Sequence, residues 1–589
     1  MSLIAVCAVI VPLLLAVVGY PLGRRKPRWR DSVVVAGFAL NVAIAIVLVV
    51  AVLAQGPFSA PLFALAVPGF TIPVGLMVDG FSASLALSFA VAFLAAALYS
   101  TSAPAPRNQA AFFSLLFLAA SGVNGFVASS DLFSLYLFWE VVSVSFLFLV
   151  MIDFQPESTL AGLRLYATNE VAGLGLLLAA LLTLASFQAS EIGPVATWLA
   201  QDTSGVRGWI ILLILVATVV RGGLVPVHTW LVNAVGVGRF VVGALLLSTL
   251  GLSGFYAMLR LLSQVFIADL SWAMAIGVLG MVSVLVAGYS ALRRADMRRI
   301  IGYHGLAQFG FIALGLGLGS SLGIAAAVTQ TLGLAFVFPL LFLSFAVAFR
   351  ERGGGELSTA DPAMWPFWAV ATVVGGMAAA GLPPLMGFGP RWLLFQAGLA
   401  VNNWWTAAII VAAMVGIALA VTLFIRLLSA MASIEVDIDS PKPVSPSPSL
   451  LALIVLAAAV TLVGVPWILF LEHVVAPLTA TVAMTPAPSL LPLGWPGIAS
   501  FMLVCFGFGL GVLTWLAQIA PSVAGGERLS MLNPLRSVTQ YTSSFLQACW
   551  ETMEERRVDL SDFLSLIVLE SARLVSGLFL AITRRVGGW

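Results

Sequence analysis

Long apolar runs separated by short polar breaks fill most of the chain. A helix needs roughly 20 apolar residues to cross the hydrocarbon layer, because each adds about 1.5 Å against about 30 Å. On that rule spans are expected near 2–20, 32–54, 78–100, 110–128, 132–152, 161–186, 208–232, 238–262, 271–292, 300–319 and 321–349. Others follow near 365–384 with a continuation to 400, then 404–428, 448–471 and 495–518, with a last apolar stretch at 560–583. The pattern predicts an all-α polytopic membrane protein with about 14–16 transmembrane helices. The first run lacks a basic leader and a small-residue cleavage site, so it reads as a retained helix.

Composition agrees. Of 589 residues, 61% are hydrophobic and 9% charged, against roughly 25% charged in a soluble domain; mean hydropathy is +1.09. A net charge of +2 gives no reason to expect a nucleic-acid surface. Cys7, Cys505 and Cys549 have no metal-ligand spacing and cannot build a disulfide framework. No phosphate-binding loop, dinucleotide fingerprint or CxxC occurs, so no catalytic, cofactor-binding or metal residue is expected in this chain.

Basic residues in short loops set orientation. Arg24, Arg25, Lys26, Arg28 and Arg30 follow the first span; Arg293, Arg294, Arg298 and Arg299 separate the ninth and tenth; Arg350 and Arg352 follow the eleventh. The three loops share a side if every span crosses. That side is expected to be the cytoplasm, with the N-terminus outside, in the inner (plasma) membrane. Residues 429–450, rich in Pro, Ser and acids, read as a cytoplasmic linker, and 551–562 (ETMEERRVDLSD) as an exposed interfacial helix.

Two spans are broken by glycine and proline: VVRGGLVPVHTW at 219–230 and AAAGLPPLMGFGPRW at 378–392. Proline removes a ladder donor and clashes with the preceding turn. The freed backbone groups are tolerable at membrane depth only inside protein or beside water. Discontinuous helices at corresponding positions are a sign of inverted repeats. The expected plan is N-terminal helices at 1–108, a first inverted five-helix repeat at 109–263 and a second at 270–428. C-terminal helices at 451–518 and a polar arm with a terminal apolar helix at 519–589 complete it.

Intramembrane charge costs at least ~2.5–3.5 kcal/mol per residue and marks function by default. Glu140 and Glu170 lie inside spans, and Arg221 and Arg391 adjoin the two breaks. His228 and His304 are expected near helix ends or breaks, and Asp79 at the membrane interface, where a helix N-terminus favours a carboxylate. Glu140 reads either as a strut salt-bridged to Arg221 or as part of an ion path, and the broken helices favour the path.

Taken in order, VDGFSASLAL at 78–87, LYLFWEVVSVSF at 135–146, RGGLVPVHTWLVNA at 221–234, RRADMRRIIGYHGLAQFGFIALGLGLG at 293–319 and GLPPLMGFGPRWLL at 381–394 resemble a known family. It is that of the antiporter-like subunits shared by respiratory complex I, Mrp-type cation/proton antiporters and hydrogenase-4 type complexes. The resemblance spans roughly residues 75–430; LESARLVSGLFLA at 569–581 is more loosely similar to a C-terminal helix of some members. It implies a 14-helix core of two inverted five-helix repeats, each supplying half a proton channel, joined by charged residues along the membrane midplane. Glu140 then matches the fifth-helix glutamate, Arg221 falls on the seventh-helix lysine, His228 on the histidine after the break, and Arg391 on the twelfth-helix lysine or glutamate.

The departures concern the connecting row. Leu252 stands where the resemblance implies a lysine, and Gln330, Leu334 and Phe338 where it implies two histidines and a lysine. Asn233, Ala234 and Val235 replace an aspartate–alanine–histidine run. Arginine is no equal of lysine as a proton carrier, since it stays charged to a pH above ~12. Glu170, His304 and Gln330 are the candidates left to carry charge across the gap.

The resemblance implies an ion-translocating, proton-translocating subunit of a larger redox-driven complex, with other membrane subunits and the lipid bilayer as partners and no cofactor of its own. Two alternatives stand beside it. One is a subunit of an Mrp-type sodium/proton antiporter. The other is a non-pumping coupling module paired with a protein such as an inorganic-carbon-uptake subunit.

Overall fold

The computed structural model describes residues 1–523, except 26, 68–69, 104–105, 107, 350–364, 402, 433–446, 485–489 and 491–494. Arg350, Arg352, most of the 429–450 linker, the 551–562 segment and the 560–583 and 569–581 stretches lie outside the described residues.

The helices run α1 Ser2–Arg25, α2 Pro27–Gln55, α3 Gly80–Ser102, α4 Gln109–Val127, α5 Leu132–Val150, α6 Pro156–Phe187, α7 Ile192–Gln201, α8 Gly205–Gly222 and α9 Thr229–Val237. They continue as α10 Phe240–Ala268, α11 Leu270–Leu292, α12 Met297–Gly317, α13 Ser321–Phe349, α14 Trp365–Ala380, α15 Phe388–Val401, α16 Trp404–Ala432, α17 Pro448–Gly464, α18 Trp467–Ala483 and α19 Trp495–Val523. Among the described residues thirteen helices are long and apolar enough to cross a membrane, or fourteen with α17 and α18, which meet at an 80° bend, taken as one span. The chain is a helical multi-pass membrane protein.

Two features were not read from the apolar pattern. Residues 58–78 form an antiparallel hairpin, Phe58–Val67 paired with Phe70–Val78, so the protein is not wholly α. Its strands carry β-branched and aromatic residues (Phe58, Phe63, Ile72, Val74, Val78) that suit a pleated surface. Short α7 lies between α6 and α8 and buries Ile192, Val195, Ala196 and Leu199.

Burial separates an inner set of helices from an outer one. The most apolar window of α10 is wholly buried, and those of α12 and α13 are 94% buried. α1 and α2 expose Leu14, Val17, Val50 and Leu53, and α6 exposes Val171 and Leu174, as lipid-facing helices do. Inside α10, residues Leu246–Gly251 form a π-helical turn, a local irregularity frequent at functional sites.

Asp79 has a partner that the sequence did not reveal. It caps α3 through a reciprocal box with Ser82, and it is buried within the protein, paired with buried Arg260 of α10 at 2.6 Å. An apolar span hid the cation that draws the carboxylate inside.

Candidate functional site: two buried arginine clusters

The two helix breaks are closed by the same backbone bonds. At the first, Gly223 has φ +65°, its N–H donates to Val220 O, Leu224 N–H to Val219 O and Val227 N–H to Leu224 O. At the second, Gly381 has φ +83°, its N–H donates to Ala378 O, Leu382 N–H to Met377 O and Leu385 N–H to Leu382 O. Both contain a cis X–Pro bond, Val225–Pro226 and Pro383–Pro384. A left-handed glycine followed by a non-donating proline ends a helix in this way. The local sequences GLVPV and GLPPL therefore suffice to specify the same turn twice.

Arg221, in the last turn of α8, is fully buried. Its Nε donates to Ser253 Oγ of α10 at 2.8 Å, and Nη1 to Ser143 Oγ of α5 at 3.0 Å and to Trp139 O at 3.5 Å. The guanidinium carbon lies 4.0 Å from the Trp139 ring centroid, and the indole N–H is tied to Asn169 O of α6. A desolvated cation over indole gains about 2 kcal/mol, which offsets part of the cost of burial.

No ion pair joins Arg221 to Glu140 in this structure. Arg221's bonds go to serine hydroxyls and a carbonyl, while Nη2 and Glu140 Oε1 are both buried without a partner. The two charges are near enough to act on each other. Glu140 Oε1 of α5 and Glu170 Oε2 of α6 are each buried without a hydrogen-bond partner, on two helices that pack against each other. Gly173 makes room: a Cβ there would sit 2.6 Å from Glu140 Oε1. The two carboxyls and Tyr166 form a half-buried patch on the α5–α6 side.

The second cluster surrounds Arg391, buried in the first turn of α15. It reaches back over the break, Nη2 donating to Ala379 O and Nη1 to Gly387 O, both at 2.6 Å. Nη2 also meets Gln308 Oε1 of α12 at 2.7 Å. Gln330 of α13 donates to the same Gln308 oxygen at 3.1 Å, and the Gln308 amide nitrogen lies 3.4 Å from His304 Nε2. Arg391 also stacks 4.8 Å over Phe311. His304, expected near a helix end, is buried well inside α12.

The structure thus gathers Arg391, His304 and Gln330, and separately Arg221, Glu140 and Glu170. His228 joins neither. It stands at the start of α9 without a side-chain cap bond, beside the ring of Tyr303, whose hydroxyl takes a hydrogen bond from Arg294 in the basic loop. Leu252, Leu334 and Phe338 are buried apolar side chains. Gln308, the hub of the second cluster, was not read from the sequence, although it stands four residues after His304 and so shares its helix face. Ser143 and Ser253 gave no signal, since serine is ordinary in apolar helices. Among the described residues no group of His, Cys, Asp and Glu could hold a metal.

Residues 129–417 match the family described as NADH:quinone oxidoreductase/Mrp antiporter, transmembrane. This region belongs to that family. The matched stretch contains both breaks and both arginine clusters. Over 315 residues the chain is 26% identical to a Na(+)/H(+) antiporter subunit of Alkalihalophilus pseudofirmus, covering 52% of this chain and 63% of that protein. Over 356 residues it is 28% identical to an NADH-quinone oxidoreductase subunit of Desulforudis audaxviator, covering 59% and 71%. A chain in the Mrp complex from a Dietzia species shares the fold at 19% identity, with a TM-score of 0.76 over 98% of this chain and 63% of that one. The chain spans about three fifths of the length of the first curated relatives it matches. These relatives are subunits of multisubunit membrane assemblies as well as a protein without assigned function.

Proposed function

We propose that the chain is an ion-translocating subunit, with the proton as its ion, of a larger redox-driven membrane complex. The observation that carries this reading is the pair of buried arginines, one beside each helix break: Arg221 in the last turn of α8, and Arg391 bonded back to Ala379 O at the end of α14. The helix dipole favours a cation there, and intramembrane charge with incompletely satisfied bonding marks a path more readily than a strut. In this reading 109–263 and 270–428 are inverted repeats carrying one cluster each. Glu140, Glu170 and Arg221 serve one half, and Arg391, His304 and Gln330 with Gln308 serve the other, while His228 lies toward the aqueous end. The chain supplies no cofactor, so the electron transfer belongs to partner subunits. It lies in the plasma membrane with the N-terminus outside and the loop Arg293–Arg299 in the cytoplasm.

The test is mild-detergent purification with mass spectrometry of what co-purifies, followed by proton-uptake assays in vesicles. Iron–sulfur or dehydrogenase partners and donor-driven proton movement support the reading. Glu140→Gln should keep assembly and lose most of that movement; a single soluble partner and no ion movement would replace the reading with the non-pumping coupling module.

One observation favours the sodium/proton antiporter as a second reading. Glu140 Oε1 and Glu170 Oε2 are partnerless oxygens on the packed helices α5 and α6, and oxygen-rich sites suit hard cations. Sodium-dependent proton movement without an electron donor would decide for it.

A further inference from the structure

Both arginine clusters contain buried polar atoms without a protein partner: Arg221 Nη2, Glu140 Oε1 and Glu170 Oε2 in the first, Arg391 Nε in the second. Such groups are ordinarily met by ordered water. Between the clusters the chemistry changes. Ser253, which holds Arg221, is followed two residues later on α10 by Phe255; Gln308, which holds Arg391, is followed directly on α12 by Phe309. The Phe255 and Phe309 rings lie 5.2 Å apart, and Phe309 meets Phe338 of α13 edge-on at 5.6 Å. All three are fully buried. Among the described residues no hydrogen bond runs from the Arg221 set to the Gln308 set.

The backbone is cleared for these rings. A Cβ on Gly222, next to Arg221, would stand 2.9 Å from Phe255, and one on Gly251, at the end of the π turn, 2.8 Å from Phe309. The rings therefore press on the broken helix on one side and on the irregular turn of α10 on the other. One of the apolar departures noted in the sequence, Phe338, belongs to this barrier.

We propose that Phe255, Phe309 and Phe338 form a dry aromatic septum between the two arginine clusters, and that an ion passes from one cluster to the other only when the Phe309 ring moves aside. The proposal rests on the clusters being successive stations of an ion path. Apolar constrictions of this kind gate by dewetting, and a charge without a polar partner is strongly disfavoured there. Phe309 is the central ring because it alone touches both others. The π turn behind it gives the barrier a neighbour whose hydrogen bonding can shift register at low cost.

The experiment measures passive proton flux into liposomes carrying the full chain with its co-purifying subunits, with a trapped pH dye and an imposed pH gradient. Wild type should be tight. Phe309→Ala and Phe338→Ala should raise flux at least about tenfold, a barrier drop of about 1.4 kcal/mol. Phe309→Tyr keeps the ring and folding while placing a hydroxyl in the septum, and should raise flux as well. Phe117→Ala, in the Phe38–Phe117 ring stack between α2 and α4, should stay at the wild-type level. Unchanged flux in every septum variant that folds, or a wild type as leaky as Phe309→Ala, overturns the proposal. Because no electron donor or sodium is supplied, failure of the proposed function leaves this readout intact.

Discussion

Arg391 Nη2 donates at 2.6 Å to the carbonyl of Ala379, which stands two residues before Gly381 just as Arg221 stands two residues before Gly223. Arg221 reaches the C-terminal end of α8 as part of that helix. Arg391 reaches the corresponding end of α14 from the following half-helix, folding its side chain back over the break. The two guanidiniums are held differently: Arg391 by carbonyls at its break, Arg221 by Ser143, Ser253 and the Trp139 carbonyl on the facing helices α5 and α10.

Lysine should fail at Arg391. The guanidinium serves three acceptors, Gly387 O, Ala379 O and Gln308 Oε1, which a planar fork can reach together and an ammonium on a flexible stem cannot. Arg391→Lys keeps the charge and is expected to cost about 1–3 kcal/mol. Thermal unfolding in detergent checks this, and an unshifted melting temperature would show that charge alone holds the break.

The second break should tolerate substitution less well than the first. Gly381 has φ +83°, and a Cβ there would run into the Arg391 side chain; at Gly223, with φ +65°, it would meet the flexible end of Leu231 at 2.9 Å. The left-handed backbone alone costs a non-glycine residue roughly 1–2 kcal/mol. Gly381→Ala should add displacement of Arg391 and lower the yield of assembled protein below that of Gly223→Ala, read by size-exclusion profiles of the two variants.

Much of this was legible in the sequence. Span positions followed from run length because the bilayer leaves no other solution for a long apolar segment, and the breaks followed from Gly–Pro chemistry. The strands at 58–78 were missed because alternation in a short apolar segment is weak against its neighbours. The composition of the clusters was legible only for residues that look costly in lipid, namely Arg221, Arg391, Glu140, Glu170 and His304. Gln308, Ser143 and Ser253 are cheap residues made important by what packs against them. The partner of Asp79 was not legible because Arg260 lies 181 positions away.

The Asp79–Arg260 pair should be structural. Asp79 accepts from Ser82 N–H at 2.9 Å as well as from Arg260 at 2.6 Å, while Arg260 Nε and Nη2 have no partner. Removing one member of a buried pair strands the other, at about 3–5 kcal/mol. Asp79→Asn retains the cap and should still unfold at a clearly lower temperature. Asp79→Asn combined with Arg260→Met should recover part of the loss, because the stranded cation is gone. A double variant as unstable as the sum of the singles would mean the two residues act separately.

The last prediction concerns whether Glu140 and Glu170 act as one unit. Glu140 and Glu170 lie on adjacent helices and each has a buried oxygen without a partner; charging both is costly, and a shared proton or cation would lower that cost. Glu140→Gln and Glu170→Gln each break that arrangement while keeping shape and most hydrogen bonding. If the pair is the functional group, either variant loses most driven proton movement and the double variant is no worse. A double-mutant cycle on the transport rate should then show a coupling of about 0.5–3 kcal/mol. Co-purifying subunits should remain in place in all three variants, because neither carboxyl forms an ion pair to a neighbouring helix among the described residues. Additive losses would make Glu170 an independent station, and normal transport in Glu170→Gln would leave Glu140 acting with Arg221 alone.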